Sequence, residues 1–476
     1  MTDEAIQVIL KELHAERNLL PKHNELRNAK VFYLAFRDEL VYVPEKRCWF
    51  YYRDGVWNQD VGAIYAMQCC NQLALQILAF AEQLEEETLR ISCLRGAIRW
   101  QQRKTRETVV ADARSEMALS FSAFDADPNL LNTQNGTIEL DTVTFREHRA
   151  EDYLTKAVNA KYEPGLLDER FNLFIAEIMN DNAALCFYLQ QCFGYAIAGT
   201  AEEECLFLLY GATTRNGKST LTESVLGVLG DYGAAVSPDT VAMKRTNSSG
   251  PSEDLARLKG IRLAVVSEPE SGLIFNASKI KTVTGRDTLT VRYLHENSFE
   301  YRPQFKLFIN TNYLPGVTDM SVFRSGRLRV IPFTRHFAPE EQDKTLKDYF
   351  RTPRLRSVIL NWLLDGYRFY KADGLTPPPE ALEALKEYET NSDRLGRFVS
   401  ECLIPAEGEA VPTAEVYAAY RQWSLENGEE PYSQTKFSTR LKEYCKYSVI
   451  YRDNKTVRCY MNYKLLQPYR SYRLKQ

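Results

Sequence analysis

The residues best placed to do chemistry in this 476-residue chain are Gly211-Ala-Thr-Thr-Arg-Asn216-Gly217-Lys218-Ser219-Thr220. The stretch follows an apolar run, Leu206 to Tyr210, and opens a helical pattern carried by Leu221, Val225, Leu226 and Leu229. A loop between a buried strand and a helix turns its backbone N–H groups on a phosphate; a lysine there reaches the β and γ phosphates and a hydroxyl ligates Mg²⁺. Lys218 and Ser219 occupy those two places, which predicts ATP and Mg²⁺ as ligands. The usual spacing sets the first glycine six residues before the lysine, where this chain has Ala212, with Gly211 one place earlier. The loop is therefore expected to bulge over 212–215 without moving Lys218.

Hydrolysis needs further groups at the same sheet edge, and three later segments offer them. Ile261 to Ser267 reads as a second buried strand ending in Glu268 and Glu270, and a carboxylate there can hold the Mg²⁺ shell or polarise the attacking water. Phe305 to Asn312 reads as a third strand, ending in an amide able to orient water against the γ phosphate. In Phe323-Arg324-Ser-Gly-Arg327, guanidinium groups sit on a turn before a fourth strand, where an arginine could act on a neighbouring subunit's phosphates. Between the second and third strands, Lys281 to Glu300 suggests a projecting hairpin with Arg292 and His295 toward its polar tip.

The rest of the chain must position these groups. With a net charge of −3, the bulk is not basic, so contact with nucleic acid must come from local patches. The ten cysteines form no C-x-x-C pair, so neither a zinc ribbon nor a disulfide framework is written here. No apolar run is expected to span a bilayer, no signal core is read at the start, and a cytoplasmic protein follows. Trp49-Phe-Tyr-Tyr-Arg-Asp54-Gly55-Val-Trp57 predicts an aromatic hairpin. One or two helices are expected from Val61 to Leu89, then a basic helix from Arg95 to Arg106. Two compact helices, one on Phe171, Phe174, Ile175 and Ile178 and the other on Leu185, Tyr188, Leu189 and Cys192, form an expected collar before the loop strand.

FDADPNLLNTQNGTIEL, GATTRNGKST, AVVSEPE, KTVTGRD, FKLFINTNYLP and RLRVIPF occur in this order between Phe124 and Phe333. On these marks the chain resembles the phage and plasmid primase-helicase family and its poxvirus relatives, within the superfamily 3 helicases. The resemblance implies an AAA+-type P-loop ATPase that assembles as a homo-oligomeric ring, usually a hexamer, and moves along single-stranded DNA. It assigns Gly211, Asn216, Gly217, Lys218, Ser219 and Thr220 to the nucleotide and Ser219 with Glu268 to the metal. Glu268 becomes the hydrolytic acid, Asn312 the sensor, and Arg327 the arginine finger with Arg324 as second choice. DNA contact is expected from Lys281, Arg292 and His295; relatives tend to be basic where this chain has His295-Glu296.

At the C-terminal end, a helix over 413–427 stopped by Gly428, a second helix capped by Ser433 and two strands joined near Asp453-Asn454 read as a winged helix. Lys436, Arg440 and Lys442 are expected to face outward, among eleven basic residues against two acids from Lys436 onward. That excess favours duplex, origin-type DNA as its partner. The expected organisation is an α/β core over 199–345, an N-terminal α+β region over 1–115, strand-turn segment and helical collar over 116–198, helical extension over 346–405 and winged-helix module over 406–476. It describes a replicative DNA helicase of a phage or mobile element in a bacterial cytoplasm, working on single-stranded and forked DNA, with any primase on a separate chain. The alternatives are an ATP-switched origin-binding initiator that does not unwind and a nucleotide-sensing defence ATPase.

Overall fold

The computed structural model describes residues 2–17, 24–243, 253–267, 272–294, 298–317, 319–452 and 455–466. The apolar runs expected as strands pair into one five-stranded sheet. Its order is Leu328–Pro332, Leu206–Tyr210, Lys306–Thr311, Leu263–Ser267 and Gly233–Ala235, with every pairing parallel. Strands covered on both faces need apolar side chains at every position, which is why these runs do not alternate with polar residues. Phe207, Leu209 and Phe308 enter one core, whereas Leu206, Leu208, Leu307 and Ile309 enter the core on the opposite face.

The first core is built against Glu169–Ile178 and Ala183–Ala196, helices that start on Asp168 and Asn182. Each of these side chains accepts a hydrogen bond from a first-turn N–H, of Phe171 and Leu185 respectively. A third helix, Pro353–Asp373, shares this core. It crosses Ala183–Ala196 where Gly194 meets Gly366, so closely that a Cβ on either would lie 2.1 Å from backbone of the other helix. The sequence reading set residues 346–405 apart as an extension. In the fold their longest helix belongs to the same layer as 169–196, because two glycines let the helices touch.

Two cations close the N-terminal edge of the sheet. Arg262, 3% exposed, donates to the carbonyls of Ile197, Pro128 and Leu130. Lys306, 1% exposed, donates to those of Ala198, Thr200 and Gln304. Buried charge is tolerated only where it is hydrogen-bonded, and here main-chain oxygens from distant segments supply the bonds.

In the N-terminal region, Leu40–Val43, Cys48–Arg53 and Val56–Asp60 form an antiparallel sheet. The expected hairpin turns on Asp54 (φ 52°) and Gly55 (φ 80°), the positive pair that a two-residue turn requires. Val61–Glu82 is long and apolar enough, by length and composition, to cross a membrane, contrary to the sequence reading. In this fold it is a core helix. Ala66, Cys70, Leu73 and Ile77 are buried with Leu10 and Phe32, and Asp60 caps its start by accepting from Tyr65 and Ala66 N–H at 2.9 Å. The single basic helix expected over 95–106 is two, Glu87–Trp100 and Arg103–Glu116. Arg106 bonds the carbonyls of Trp100 and Gln101 at the end of the first, so one of those charges serves as a cap.

Past Pro379–Ser392 and Arg394–Cys402, the last part contains Thr413–Glu426, Gln434–Leu441 and the strands Tyr447–Arg452 and Lys455–Leu465. A third strand, Leu403–Pro412, pairs along Lys455–Leu465. It was unread because Pro405, Gly408, Pro412 and the four residues Ala406, Glu407, Glu409 and Ala410 mask its pattern, and it runs across the expected boundary at 405/406. Replacing Arg262 with Met leaves three buried carbonyls without their donor. Chemical denaturation should show a loss of about 3 kcal/mol, and an unchanged midpoint and slope would mean that water replaces the guanidinium at no cost.

Candidate nucleotide-binding site

Leu206–Tyr210 delivers residues 211–217 to the C-terminal edge of the sheet, and the helix Lys218–Leu229 leads away. Gly217, at φ 85°, starts that helix in a conformation L side chains resist, and a Cβ there would lie 2.3 Å from Ile178 Cγ2. Gly211 is tighter still. A Cβ on it would meet Asn216 Nδ2 at 2.3 Å, the Phe333 carbonyl at 2.7 Å and Lys218 Nζ at 3.0 Å. The displaced glycine thus does the close-approach work from its own position.

Ala212, Thr213, Thr214 and Arg215 form the exposed arc expected of the longer loop, while Asn216 and Lys218 are buried behind it. Asn216 Nδ2 closes the arc on the Thr213 carbonyl at 2.7 Å. The chain after the fourth apolar strand fastens the other side. Phe337 N–H donates to the Arg215 carbonyl at 3.0 Å, His336 Nδ1 lies 2.8 Å from the Thr214 carbonyl, and the Arg215 guanidinium bonds Gln342. Nothing in the spacing of 333–342 pointed to this strap.

Lys218 Nζ donates to Asn312 Oδ1 at 2.9 Å and to the Gly211 carbonyl at 3.4 Å. The parallel register that sets Thr311 beside Tyr210 brings this amide to the loop. Two residues earlier on the same strand, Asn310 donates through Nδ2 to Thr222 Oγ1 at 2.8 Å, and Thr222 in turn donates to the Lys218 carbonyl at 3.1 Å. This second tie between sheet and helix was missed, although an Asn inside an otherwise apolar run was its signal. Ser219 and Thr220 lie half-buried on the first turn of the loop helix. Glu268 and His295 lie outside the described residues, as does Glu270. Among the described residues no three His, Cys, Asp or Glu side chains converge as a metal site.

The other predicted residues separate. Arg327 lies at the opposite edge of the sheet, where its carbonyl accepts from Leu206 N–H. Its guanidinium is 17% exposed and is held by Glu204 Oε2 at 2.8 Å and Thr284 Oγ1 at 2.7 Å. Arg324 is 63% exposed, with Glu443 at 3.8 Å as its ion-pair partner. The Arg327 side chain is thus committed within its own chain, whereas that of Arg324 is largely free.

Leu289–Val291 and Phe299–Tyr301 form the expected hairpin, and Arg292 is exposed just beyond the first strand. Lys281 is not on it. It sits on the helix Ala277–Thr284 and donates to Ser321 Oγ at 3.0 Å. In the C-terminal part, Lys436 and Lys442 are exposed, as expected, whereas Arg440 is half-buried; Lys436 and Arg440 lie 4.2 and 5.5 Å from the centre of the Tyr432 ring. Burial, reinforced by the nearby Arg440 and Arg394 charges, pushes the Lys436 ammonium below the usual lysine range.

A cradle that a single Cβ would fill, a buried lysine turned into it and a helix N-terminus behind it fit the phosphates of a nucleotide. These features define an α/β protein with a candidate phosphate-binding loop at the C-terminal edge of a parallel sheet. Three family models match it: D5 N terminal like over residues 29–180, a Family of unknown function (DUF5906) over 209–325 and Poxvirus D5 protein-like over 390–471. Among curated relatives, "Putative helicase L207/L206" of Acanthamoeba polyphaga mimivirus is 29% identical over 324 residues, covering 64% of this chain and 34% of that protein. "Putative helicase 022R" of Frog virus 3 (isolate Goorha) is 28% identical over 273 residues, covering 53% and 28%. These matches support a D5-type primase-helicase family for the chain, which spans about a third of the length of these relatives. Among solved structures, the A form apo structure of the NrS-1 C terminal region aligns with 93% of this chain and all of that chain at 10% identity and a TM-score of 0.48.

Gly211→Ala should weaken binding of a slowly hydrolysed ATP analogue by about tenfold or more, or 1.4 kcal/mol, measured by titration calorimetry. Ala212→Gly, in the exposed arc, should leave the affinity unchanged. Equal affinities for Gly211→Ala and the parent would show that the added residue frees the loop from its glycine.

Proposed function

We propose that this chain is the motor of a replicative DNA helicase, an AAA+-type ATPase of superfamily 3 that works as a homo-oligomeric ring on single-stranded and forked DNA. The observation that carries the reading is the Lys218–Asn312 hydrogen bond. It joins the phosphate loop to the end of the one strand lying between the loop strand and the strand that runs on toward Glu268. Similarity to the D5-type family and to the viral putative helicases supports the task.

In this reading Lys218 leaves Asn312 for the β and γ phosphates as ATP enters, which frees the amide to orient the attacking water. Ser219 and Glu268 would hold Mg²⁺, whose charge neutralises that developing on the phosphoryl oxygens. The loop N–H groups bind the phosphates in place, and the strap over 333–342 keeps the arc from closing on them. Arg324 reaches the neighbouring subunit's γ phosphate, while Arg327 positions the turn that carries Arg324 through Glu204 and Thr284. The hairpin 289–301, with Arg292 and His295, meets the translocated strand. The helices 169–196, with Pro353–Asp373, act as the collar. The C-terminal part is a winged helix whose exposed Lys455 and Arg458 contact duplex DNA at an origin.

A forked duplex with ATP and Mg²⁺ tests the motor: strand displacement should occur and Lys218→Ala should abolish it. ATP-dependent DNA binding without displacement would instead make the chain an initiator switched by ATP. For the arginine, subunits carrying Arg324→Ala mixed with subunits carrying Lys218→Ala should recover part of the ATP turnover that neither has alone. Mixtures with Arg327→Ala should not. The reverse pattern would return the finger to Arg327.

A further inference from the structure

The hydrogen bonds of the phosphate loop are lopsided. On the acceptor side, the Gly211 carbonyl takes Lys218 Nζ at 3.4 Å, that of Thr213 takes Asn216 Nδ2 at 2.7 Å and that of Gly217 takes Leu221 N–H at 3.0 Å. The carbonyls of Thr214 and Arg215 take donors from outside the loop, His336 Nδ1 at 2.8 Å and Phe337 N–H at 3.0 Å. On the donor side, the N–H groups of Ala212 to Gly217 meet no protein acceptor among the described residues. A carbonyl oxygen turned toward a phosphate repels it, whereas an N–H attracts it, so this one-sided pattern suits an anion.

The strap over 333–342 is braced so that its two donors stand still. Where it starts, Phe333 N–H donates to the Tyr210 carbonyl at 2.6 Å. Glu341 binds Arg335 at 2.6 Å and the Ala338 N–H at 2.8 Å, and Gln342 donates to the Phe337 carbonyl at 2.9 Å while accepting from Arg215. Just beyond it, Lys347 pairs with Glu223 of the loop helix at 2.8 Å. A donor held in this way loses little freedom when it bonds. Because a carbonyl only accepts, His336 Nδ1 carries the hydrogen whether the ring is neutral or charged. Within the loop, Asn216 and Lys218 are already bonded to Thr213 and Gly211, so the two remaining carbonyls depend on the strap.

We propose that the strap is part of the nucleotide site: His336 Nδ1–H and Phe337 N–H hold the Thr214 and Arg215 carbonyls off the phosphates, which leaves the N–H groups of the arc to the anion. His336 is thus a positioning residue that acts through the loop and touches no part of the nucleotide. This rests on the reading of 211–217 as a phosphate loop and deepens it, since the lengthened arc needs a second segment to orient it. His336 is exposed, and an exposed hydrogen bond contributes little to folding because water replaces it. Its loss should therefore appear in ligand affinity and not in the melting temperature.

The test is titration calorimetry of the full chain with Mg²⁺ and either a slowly hydrolysed ATP analogue or inorganic tripolyphosphate, which has neither base nor sugar. His336→Ala should weaken both by about fivefold, the weight of one hydrogen bond, with an unchanged melting temperature. His336→Asn, whose amide Nδ2 takes the place of Nδ1, should restore both. Unchanged tripolyphosphate affinity in His336→Ala overturns the proposal and leaves the strap as scaffold. A loss confined to the ATP analogue overturns it as well, since the ring would then meet the base or the ribose. So does a lowered melting temperature in His336→Ala that His336→Asn does not rescue. A parent chain that binds neither probe sinks the phosphate-loop reading itself, a result distinct from a parent and a His336→Ala variant that bind alike.

Discussion

The register between two neighbouring strands governs the candidate site. Tyr210 lies beside Thr311, so the loop that leaves Tyr210 and the Asn that follows Thr311 emerge side by side. Side chains alternate along a strand, and a slip of one residue would exchange the faces on which Asn310 and Thr311 stand. Asn310 would then lose Thr222, and Lys218 would lose its partner at Asn312. The apolar faces forbid that slip, because Phe308 and Ile309 belong to different cores. The geometry of a polar site is in this sense set by the packing of its apolar neighbours.

Much of this was legible in the sequence. A short apolar run closed by Gly and Gly-Lys-Ser reads as strand, loop and helix, because burial on both faces leaves no room for alternation. The cap Ser433 stands where its side chain meets a first-turn N–H, and the Asp54-Gly55 turn is required by its dihedral angles. What could not be read depends on contacts between residues far apart. No local pattern tells that Arg327 will find Glu204, that Lys281 will find Ser321, or that the segment after Phe333 will fold back on the loop. Nor could the partial burial of Arg440 beside Tyr432 be read: helical periodicity places it with the exposed Lys436 on one polar face, and how much of that face another part of the chain covers is a tertiary fact.

The two arginines near the Ser-Gly turn show how environment sorts identical side chains. A guanidinium that is 17% exposed and bonded to a carboxylate and a hydroxyl is part of the scaffold. Three residues earlier, the same group with 63% exposure and a carboxylate at 3.8 Å keeps most of its freedom, since an exposed pair of that length contributes little. Sequence proximity made them interchangeable candidates, and burial separates them.

The buried cations at the far edge of the sheet bear on the order in which the molecule assembles. Arg262 takes carbonyls from residues 65 to 134 positions earlier in the chain, and Lys306 takes two from residues 106 and 108 positions earlier. Contacts of such separation close large loops, and their entropy must be overcome before the bonds return anything. These two residues complete their bonds only when the segments at 128–130 and 197–200 have come into place against Lys306–Thr311, which lies beside Leu206–Tyr210, and Leu263–Ser267, one strand further out. The edge opposite the loop is thus where the chain's first two hundred residues are tied to the sheet, and until they dock the donors of Arg262 and Lys306 lack the carbonyls that accept from them.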